Sequence, residues 1–299
     1  MCHVSVIIPT RNRCNLLRRA IDSVLGQTYG DMECIVVDDS STDETPDLLK
    51  EFDDERLVCL RHERRRHASA ARNTGIAHAR GELIAFLDDD DEWLPSKLDK
   101  QVSLLSRAPR IVGMVYCWLD YIQGEKTVKR HSPRLRGSIF KETLDKQPIG
   151  NSSTLLVRRD VFKKSGLFDE SLPRGNDGDF IRRVCRYWEV DYVPEVMVKV
   201  HIGHGLDQIT AYDENGIKKH ILAQLIKLQK FQDDFYRCRK QAANVYADIA
   251  CHYGWLNQWR RSIRFYWKAT WAFPFSRKLH ACLIRSLKHA LRPKRHRRP

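Results

Sequence analysis

Within its first 90 residues the chain alternates short aliphatic runs with segments of helical periodicity, and this alternation limits the fold more than any other feature. The runs are Val4–Ile8, Cys34–Val37, Leu57–Leu60 and Leu83–Leu87. Between the first two, Leu16, Leu17, Ala20, Ile21, Val24 and Leu25 recur along one helical face. Ser40, Ser41 and Thr42 offer caps ahead of a second helix over Thr45–Phe52, and Ala70–Arg80 reads as a third. Strands apolar on both faces and joined through helices predict parallel βαβ units with right-handed crossovers. Ligands of such sheets bind outside the carboxyl ends of the strands. Pro9-Thr10-Arg11, Asp38-Asp39 and Asp88–Asp91 all follow predicted strands, so they should line one edge and suit a nucleotide. No G-x-G-x-x-G follows the first strand and no G-x-x-x-x-G-K-[ST] occurs, which argues against dehydrogenase and P-loop readings.

The acidic cluster in FLDDDDEW (86–93) is the most unusual of these. Alternate carboxylates in a tight turn can present hard oxygen donors to Mg²⁺ or Mn²⁺. The same residues could instead be an acidic helix start, with Asp91 and Glu92 at the positive end of a helix over Leu94–Ser106. The formal net charge of +14 makes the cluster look contradictory, but its distribution removes much of the conflict. Thirteen Lys and Arg lie beyond Asp248, where there is no acidic residue, leaving 39 basic against 38 acidic residues in 1–248.

The ordered blocks VSVIIPTRNR (4–13), VLGQTY (24–29), IVVDDSSTDET (35–45), SAARNTGIAHARGELIAFLDDDDEW (69–93), LLVRRDVFKKSGLFDE (155–170) and NDGDF (176–180) resemble the family 2 glycosyltransferases, of the bacterial polysaccharide and glycolipid type. The resemblance runs from residue 4 to about 210. It implies an α/β GT-A fold, a mixed sheet flanked by helices, and an inverting hexosyl- or N-acetylhexosaminyltransferase using a nucleotide-diphosphate sugar, UDP-linked by expectation. It places Pro9, Thr10 and Arg11 beside the nucleotide, Asp39 on the base, and Arg72 on phosphate or a base edge. Asp88 and Asp90 form the D-x-D element, with Asp90 on Mn²⁺ or Mg²⁺, and Asp88 and Asp89 on the ribose or supporting the ion. Asp177 is implied as general base, with Asp179 a rival. Asn176 departs from the family, where Glu is usual. His201 or His204 is implied near the metal or diphosphate. Gly150–Ser153 sits where relatives position donor sugar or acceptor, although the same residues suit an ordinary loop. Trp93 suits either a sugar-packing or a core position, and Asp38 either a base contact or a turn.

Further readings come from the remainder of the chain. Residues 1–212 are expected to form the transferase domain, with 1–93 binding the donor and 94–212 the acceptor. Residues 213–299 are expected to be a basic helical extension. In the second half of the domain, Ile111–Trp118, Thr154–Val157, Tyr192-Val193 and Val196–Val200 read as strands, and Arg159–Ser165 and Gly178–Trp188 as helices. Trp255, Trp259, Ile263, Trp267 and Trp271 recur every four residues with Arg260, Arg261, Arg264 and Lys268 between them, and Leu279, Leu283, Leu287 and Leu291 repeat the device. Such faces suit an anionic membrane surface reached through 255–299, or a helical bundle with solvated charges. Nine scattered cysteines without C-x-x-C spacing, no signal-like start and no long apolar run lead to an expected cytoplasmic location, peripheral on the inner face of the membrane. A sugar nucleotidyltransferase or a non-catalytic nucleotide-sugar-binding protein is the alternative. The first lacks its Gly-rich phosphate loop, and the second is opposed by the intact aspartates. A glycan or lipid-linked acceptor is expected, and no nucleic acid, because residues 1–248 are almost neutral.

Overall fold

The computed structural model describes residues 4–203 and 213–291, and it divides into two compact units. Among the described residues, 4–140, 147–170 and 177–203 form the first; residues 213–291, with the short segments 141–146 and 171–176, form the second. In the first unit β1 (Val4–Thr10), β2 (Met32–Asp38), β3 (Leu57–Arg61) and β4 (Leu83–Phe86) alternate with α1 (Cys14–Leu25), α2 (Thr45–Lys50) and α3 (His67–His78). The four strands are parallel in the order β3-β2-β1-β4, as the alternation predicts. Every residue of β1 and β2 is buried because helices cover both faces. Val4, Val6 and Ile8 join a core with Leu17, Ala20 and Val24 of α1. Ile7, Ile35 and Val37 turn the other way, into a second core with Ala71 and Ile76 of α3. At Gly75 an added Cβ would lie 2.5 Å from Ile7 Cγ2, so α3 can approach β1 this closely only with glycine there.

The sheet continues through β5 (Asp91–Trp93), α4 (Lys97–Arg107), β6 (Val112–Gln123), β7 (Lys126–His131), α5 (Phe140–Thr143), a 3₁₀ turn at Ser152–Thr154, β8 (Leu156–Arg158), α6 (Asp160–Ser165), α7 (Asn176–Cys185) and β9 (Glu189–His201). Beyond β4 its order is β8-β6-β9-β5, with β7 pairing β6. β8 is antiparallel to β4 and β6, whereas β9 is parallel to β6, so the sheet is mixed. Gly166 closes α6 at φ 75°.

Two sequence expectations need correction here, and one strand went unread. Asp91 does not start a helix: it lies in β5, paired antiparallel with Val200 of β9, and the helix begins at Lys97. The two strand-like runs near 192 and 200 are one strand, β9, in which Pro194 and Glu195 bulge out between the pairs Cys117–Val193 and Trp118–Val196. The hairpin strand β7, KTVKRH, is exposed along nearly all its length, so it lacks the alternation that reveals a half-buried strand.

Lys97 is wholly buried, its Nζ donating to Gln101 Oε1 at 2.7 Å and lying 3.7 Å from the Trp93 ring centroid. Burial pushes its ammonium down to about 8. A lysine pushed down on folding opposes stability fully below its folded value, and that opposition fades as the pH rises towards the ordinary value of 10.5. Lys97→Met is therefore expected to raise stability near neutral pH. The gain should be about 1 kcal/mol net, because Gln101 Oε1 loses its donor. Thermal melts at pH 7 and at pH 10 check this; the gain should shrink at the higher pH.

The second unit is helical: α8 (Glu214–Lys230), α9 (Gln232–Arg237), α10 (Arg239–Trp255), α11 (Trp259–Ala272) and α12 (Arg277–Leu291). α10 lies at its centre, with Ala243, Val245, Ala247, Ile249 and Ala250 fully buried. Asp248 of α10 accepts from His220 Nε2 of α8 at 2.7 Å and lies 3.6 Å from Lys278 Nζ of α12. Although burial opposes it, these partners hold the Asp248 carboxyl well below the usual range. Asp248→Ala should cost about 2 kcal/mol, because one residue ties three helices; a lowered denaturation midpoint checks it. The tryptophan stripe is broken, since the chain leaves the helix at Asn257 (φ 57°). Trp255 thus ends α10 and packs against the small core that includes Cys251 and Leu279, while Trp259, Ile263, Trp267 and Trp271 belong to α11.

Candidate active site

The carboxyl ends of β1, β2 and β4 meet as the strand order requires. Thr10 pairs with Asp38 in register, and the Asp39 N–H donates to the Thr10 carbonyl at 2.9 Å. Pro9 is buried beside Val37. Arg11 is half-buried, and its Nε is enclosed without a partner. Asn12, at φ 53°, binds the β2 loop through Ser41 Oγ (2.9 Å) and the Thr42 N–H (2.7 Å). Asp38 takes the turn role, accepting from the Ser41 N–H and from Arg61 Nη1, both at 2.8 Å. The Asp39 carboxylate accepts the N–H groups of Arg66 and His67 at 2.7 Å each and meets His62 Nδ1 at 2.8 Å. It thereby fixes the entry to α3, where His67 adopts φ 68°.

The aspartates after β4 are not equivalent. Asp88 Oδ1 accepts from Arg72 Nη2 at 2.5 Å and from Ser152 Oγ at 3.2 Å. Asp89 accepts from Thr10 Oγ1 (2.8 Å) and Arg13 Nη1 (2.9 Å), and the same Arg13 nitrogen reaches Asp90 Oδ2 at 2.7 Å. Arg19 donates to the Asp90 carbonyl at 2.9 Å. Burial, opposed by Arg13 and reinforced by Asp90, pushes the Asp89 carboxyl up to about 6. Asp91 is buried and accepts from Ser153 Oγ at 2.5 Å and Asn151 Nδ2 at 3.0 Å. Burial, with Asp88 and Asp90 nearby, raises its carboxyl well above the usual range. Ser153 Oγ also receives the Asp88 N–H at 3.1 Å, so one hydroxyl holds both ends of the turn.

Asp177, in the first turn of α7, accepts the Ser152 N–H through Oδ2 at 3.2 Å. Its Oδ1 lies 4.0 Å from Arg72 Nη1. Arg72 thus stands between Asp88 and Asp177, its Cζ 5.4 Å from the Phe168 ring centroid. Burial raises the Asp177 carboxyl above its ordinary value, partly offset by Arg72 and reinforced by Asp88. Asp179 is directed elsewhere: its Oδ2 meets Arg183 Nε of the same helix at 2.8 Å.

His201 ends β9 beside β5, with Nε2 3.1 Å from Glu92 Oε2, and Lys199 Nζ lies 2.8 Å from Glu92 Oε1. Burial lowers its pKa, with Glu92 acting against that. His204 lies outside the described residues. Trp93 is a core residue, 2% exposed, its indole N–H donating to the Ser153 carbonyl at 2.8 Å.

The structure therefore brings Arg72, Asp88 and Asp177 together, and Thr10 with Asp89. Sequence reasoning missed Arg13, which bridges Asp89 and Asp90, and it singled out Gly150–Ser153 without the part Asn151, Ser152 and Ser153 play in holding the turn. The only signal for these three was a run of small polar residues ahead of a strand. The donor set fits a hard divalent cation. Asp88, Asp89 and Asp90 supply carboxylate oxygens alone, three acidic groups against the guanidinium groups of Arg13 and Arg72.

A parallel sheet whose carboxyl edge gathers acidic groups and arginines, extended by a mixed half, defines a nucleotide-sugar transferase of the GT-A class. Residues 5–166 match the model of glycosyl transferase family 2, and the chain belongs to that family. It is 35% identical to the putative colanic acid biosynthesis glycosyl transferase WcaA of Escherichia coli K12, over 70% of this chain and 75% of that one. Over 102 residues (34% of this chain, 40% of the relative) it is 43% identical to an Escherichia coli UDP-Glc:alpha-D-GlcNAc-diphosphoundecaprenol beta-1,3-glucosyltransferase, WfgD. The mannosyltransferase PcManGT of Pyrobaculum calidifontis, solved with GDP-Man and Mn²⁺, shares the fold at a TM-score of 0.63 and 20% identity, covering 97% of this chain and 81% of that one.

Proposed function

We propose that the chain is an inverting glycosyltransferase that takes a UDP-sugar as donor and a lipid-linked glycan as acceptor. The observation carrying this is Arg72, held between Asp88 and Asp177 at 2.5 and 4.0 Å, which joins the donor end of the site to a half-buried carboxylate. Thr10, Arg11 and Asp39 line the nucleotide side, with Pro9 shaping the strand end. Asp177 accepts the proton of the acceptor hydroxyl as that oxygen bonds to the anomeric carbon. The bond from that carbon to the diphosphate oxygen breaks, and the configuration inverts. The raised carboxyl of Asp177 makes it a stronger base than an exposed aspartate. Mn²⁺ or Mg²⁺, held by Asp90 with Asp88, would offset charge on the departing diphosphate. Asp89, fixed by Thr10, supports the turn, and His201 serves the same edge from β9. We assign residues 1–212 to transfer and 213–299 to a basic region that meets an anionic membrane surface on the cytoplasmic side. Among the described residues no helix is long and apolar enough to cross a membrane.

The test is thermal shift with a panel of nucleotide sugars, with and without Mn²⁺. UDP-sugars should stabilise the chain with metal present, and Asp90→Ala should weaken that binding by about tenfold or more. Binding that ignores both the metal and the substitution would remove the D-x-D assignment. Sedimentation with anionic vesicles, strong at low salt and weak at high salt, checks the membrane contact.

A further inference from the structure

The second unit carries a groove of about 890 Å³ that the transfer reaction does not use. Buried Phe235 and Ala242 form its floor. Its walls are Tyr236 on one side and Trp267 and Trp271 of α11 on the other, exposed by 85, 71 and 85%. Aromatic side chains this large are rarely left in water together, and such a patch marks a contact surface. Two cations, Arg239 and Lys268, stand on the groove, and among the described residues no acidic side chain lines it. Arg239 donates to the Trp271 carbonyl at 2.9 Å, and Lys268 Nζ lies 5.8 Å from the Tyr246 ring centroid, so backbone and ring, not a carboxylate, receive them. Arg260, Arg261 and Arg264 occupy the same helix as the tryptophans.

We propose that this groove seats the isoprenoid chain of a polyprenyl-phosphate-linked acceptor, with Arg239 and Lys268 facing its phosphate. The inference rests on the reading that the acceptor is lipid-linked. An amphiphile with an apolar chain and an anionic head satisfies both halves of the surface at once. A purely apolar partner would leave the two cations unmatched, and an acidic peptide would leave the aromatic walls in water. The site gives the second unit a role in acceptor selection, separate from the donor chemistry of the first.

Farnesyl phosphate, below its micelle-forming concentration, is the probe, titrated into the full chain and followed by tryptophan fluorescence and calorimetry. Saturable one-to-one binding is expected, with farnesol weaker and inorganic phosphate without effect. The double substitution Trp267→Ala/Trp271→Ala should raise Kd about tenfold or more. Arg239→Gln/Lys268→Gln should erase the advantage of farnesyl phosphate over farnesol. All four side chains stand on the rim, and unchanged melting temperatures should show that the variants fold. No saturable binding, equal affinity in the tryptophan variant, or partition into anionic vesicles alone would overturn the proposal. UDP-sugar hydrolysis separates the two readings. If it proceeds equally in wild type and variants while lipid binding fails, only the groove is wrong. If wild type shows no UDP-sugar turnover, the donor reading fails on its own.

Discussion

Asp177→Asn should bind UDP-sugar with the affinity of the unaltered chain and lose transfer by a factor of about 10²–10⁴. The substitution keeps the shape and an oxygen for the Ser152 N–H, which Oδ2 receives at 3.2 Å. What it removes is the ability to take a proton. The proposed donor contacts are Thr10, Asp39 and the aspartate turn, and Asp177 accepts its hydrogen bond from Ser152 instead. The residual charge of Arg72 stays paired with Asp88. Equilibrium binding and single-turnover transfer measured on the same preparation separate these effects, and an Asn variant transferring at the original rate would exclude Asp177 as base. In the unaltered chain the rate should fall as the pH drops through the Asp177 carboxyl value, since only the ionised form accepts the proton. Burial places that limb higher than for an exposed aspartate.

The first half of the fold was legible because its strands are buried on both faces. Val4–Thr10 and Met32–Asp38 are aliphatic without alternation, and the interleaved helices show their periodicity plainly. The carboxyl-edge rule then gathered the candidate residues at one edge without any side-chain geometry. Asp91 resisted the same reasoning because its state is decided 60 residues away. Ser153 and Asn151 hold it in β5, and from local sequence it is indistinguishable from an acidic helix start. Arg13 was hidden for a related reason, since its partners Asp89 and Asp90 lie 76 and 77 positions along the chain. The tryptophan stripe failed on a single backbone angle: Asn257 at φ 57° ends one helix and separates Trp255 from the rest. Periodicity of side chains carries no warning of such a turn.

Arg72→Met should reduce transfer by about 10²-fold or more and move the acid limb of the rate profile upward. The methionine keeps much of the stem that packs near Phe168 but removes the cation standing between two carboxylates. Arg72 is held above its ordinary value by Asp88 and Asp177 in spite of its burial, so it remains charged throughout the working range. Its charge lowers the Asp177 carboxyl, whereas burial and Asp88 raise it. Without it burial and Asp88 are opposed only by the Ser152 hydrogen bonds, more of Asp177 is protonated, and the fraction able to act as base falls. Loss of the partner also leaves the Asp88 carboxylate facing Asp177 with no cation between them, which should cost about 3 kcal/mol of stability. Arg72→Lys distinguishes charge from shape. A lysine restores one positive charge but cannot present two nitrogens in a fixed fork to Asp88 and Asp177. It should recover the position of the acid limb more fully than the maximal rate. If Met and Lys variants titrate identically to the unaltered chain, Arg72 acts on the donor alone and does not tune the base.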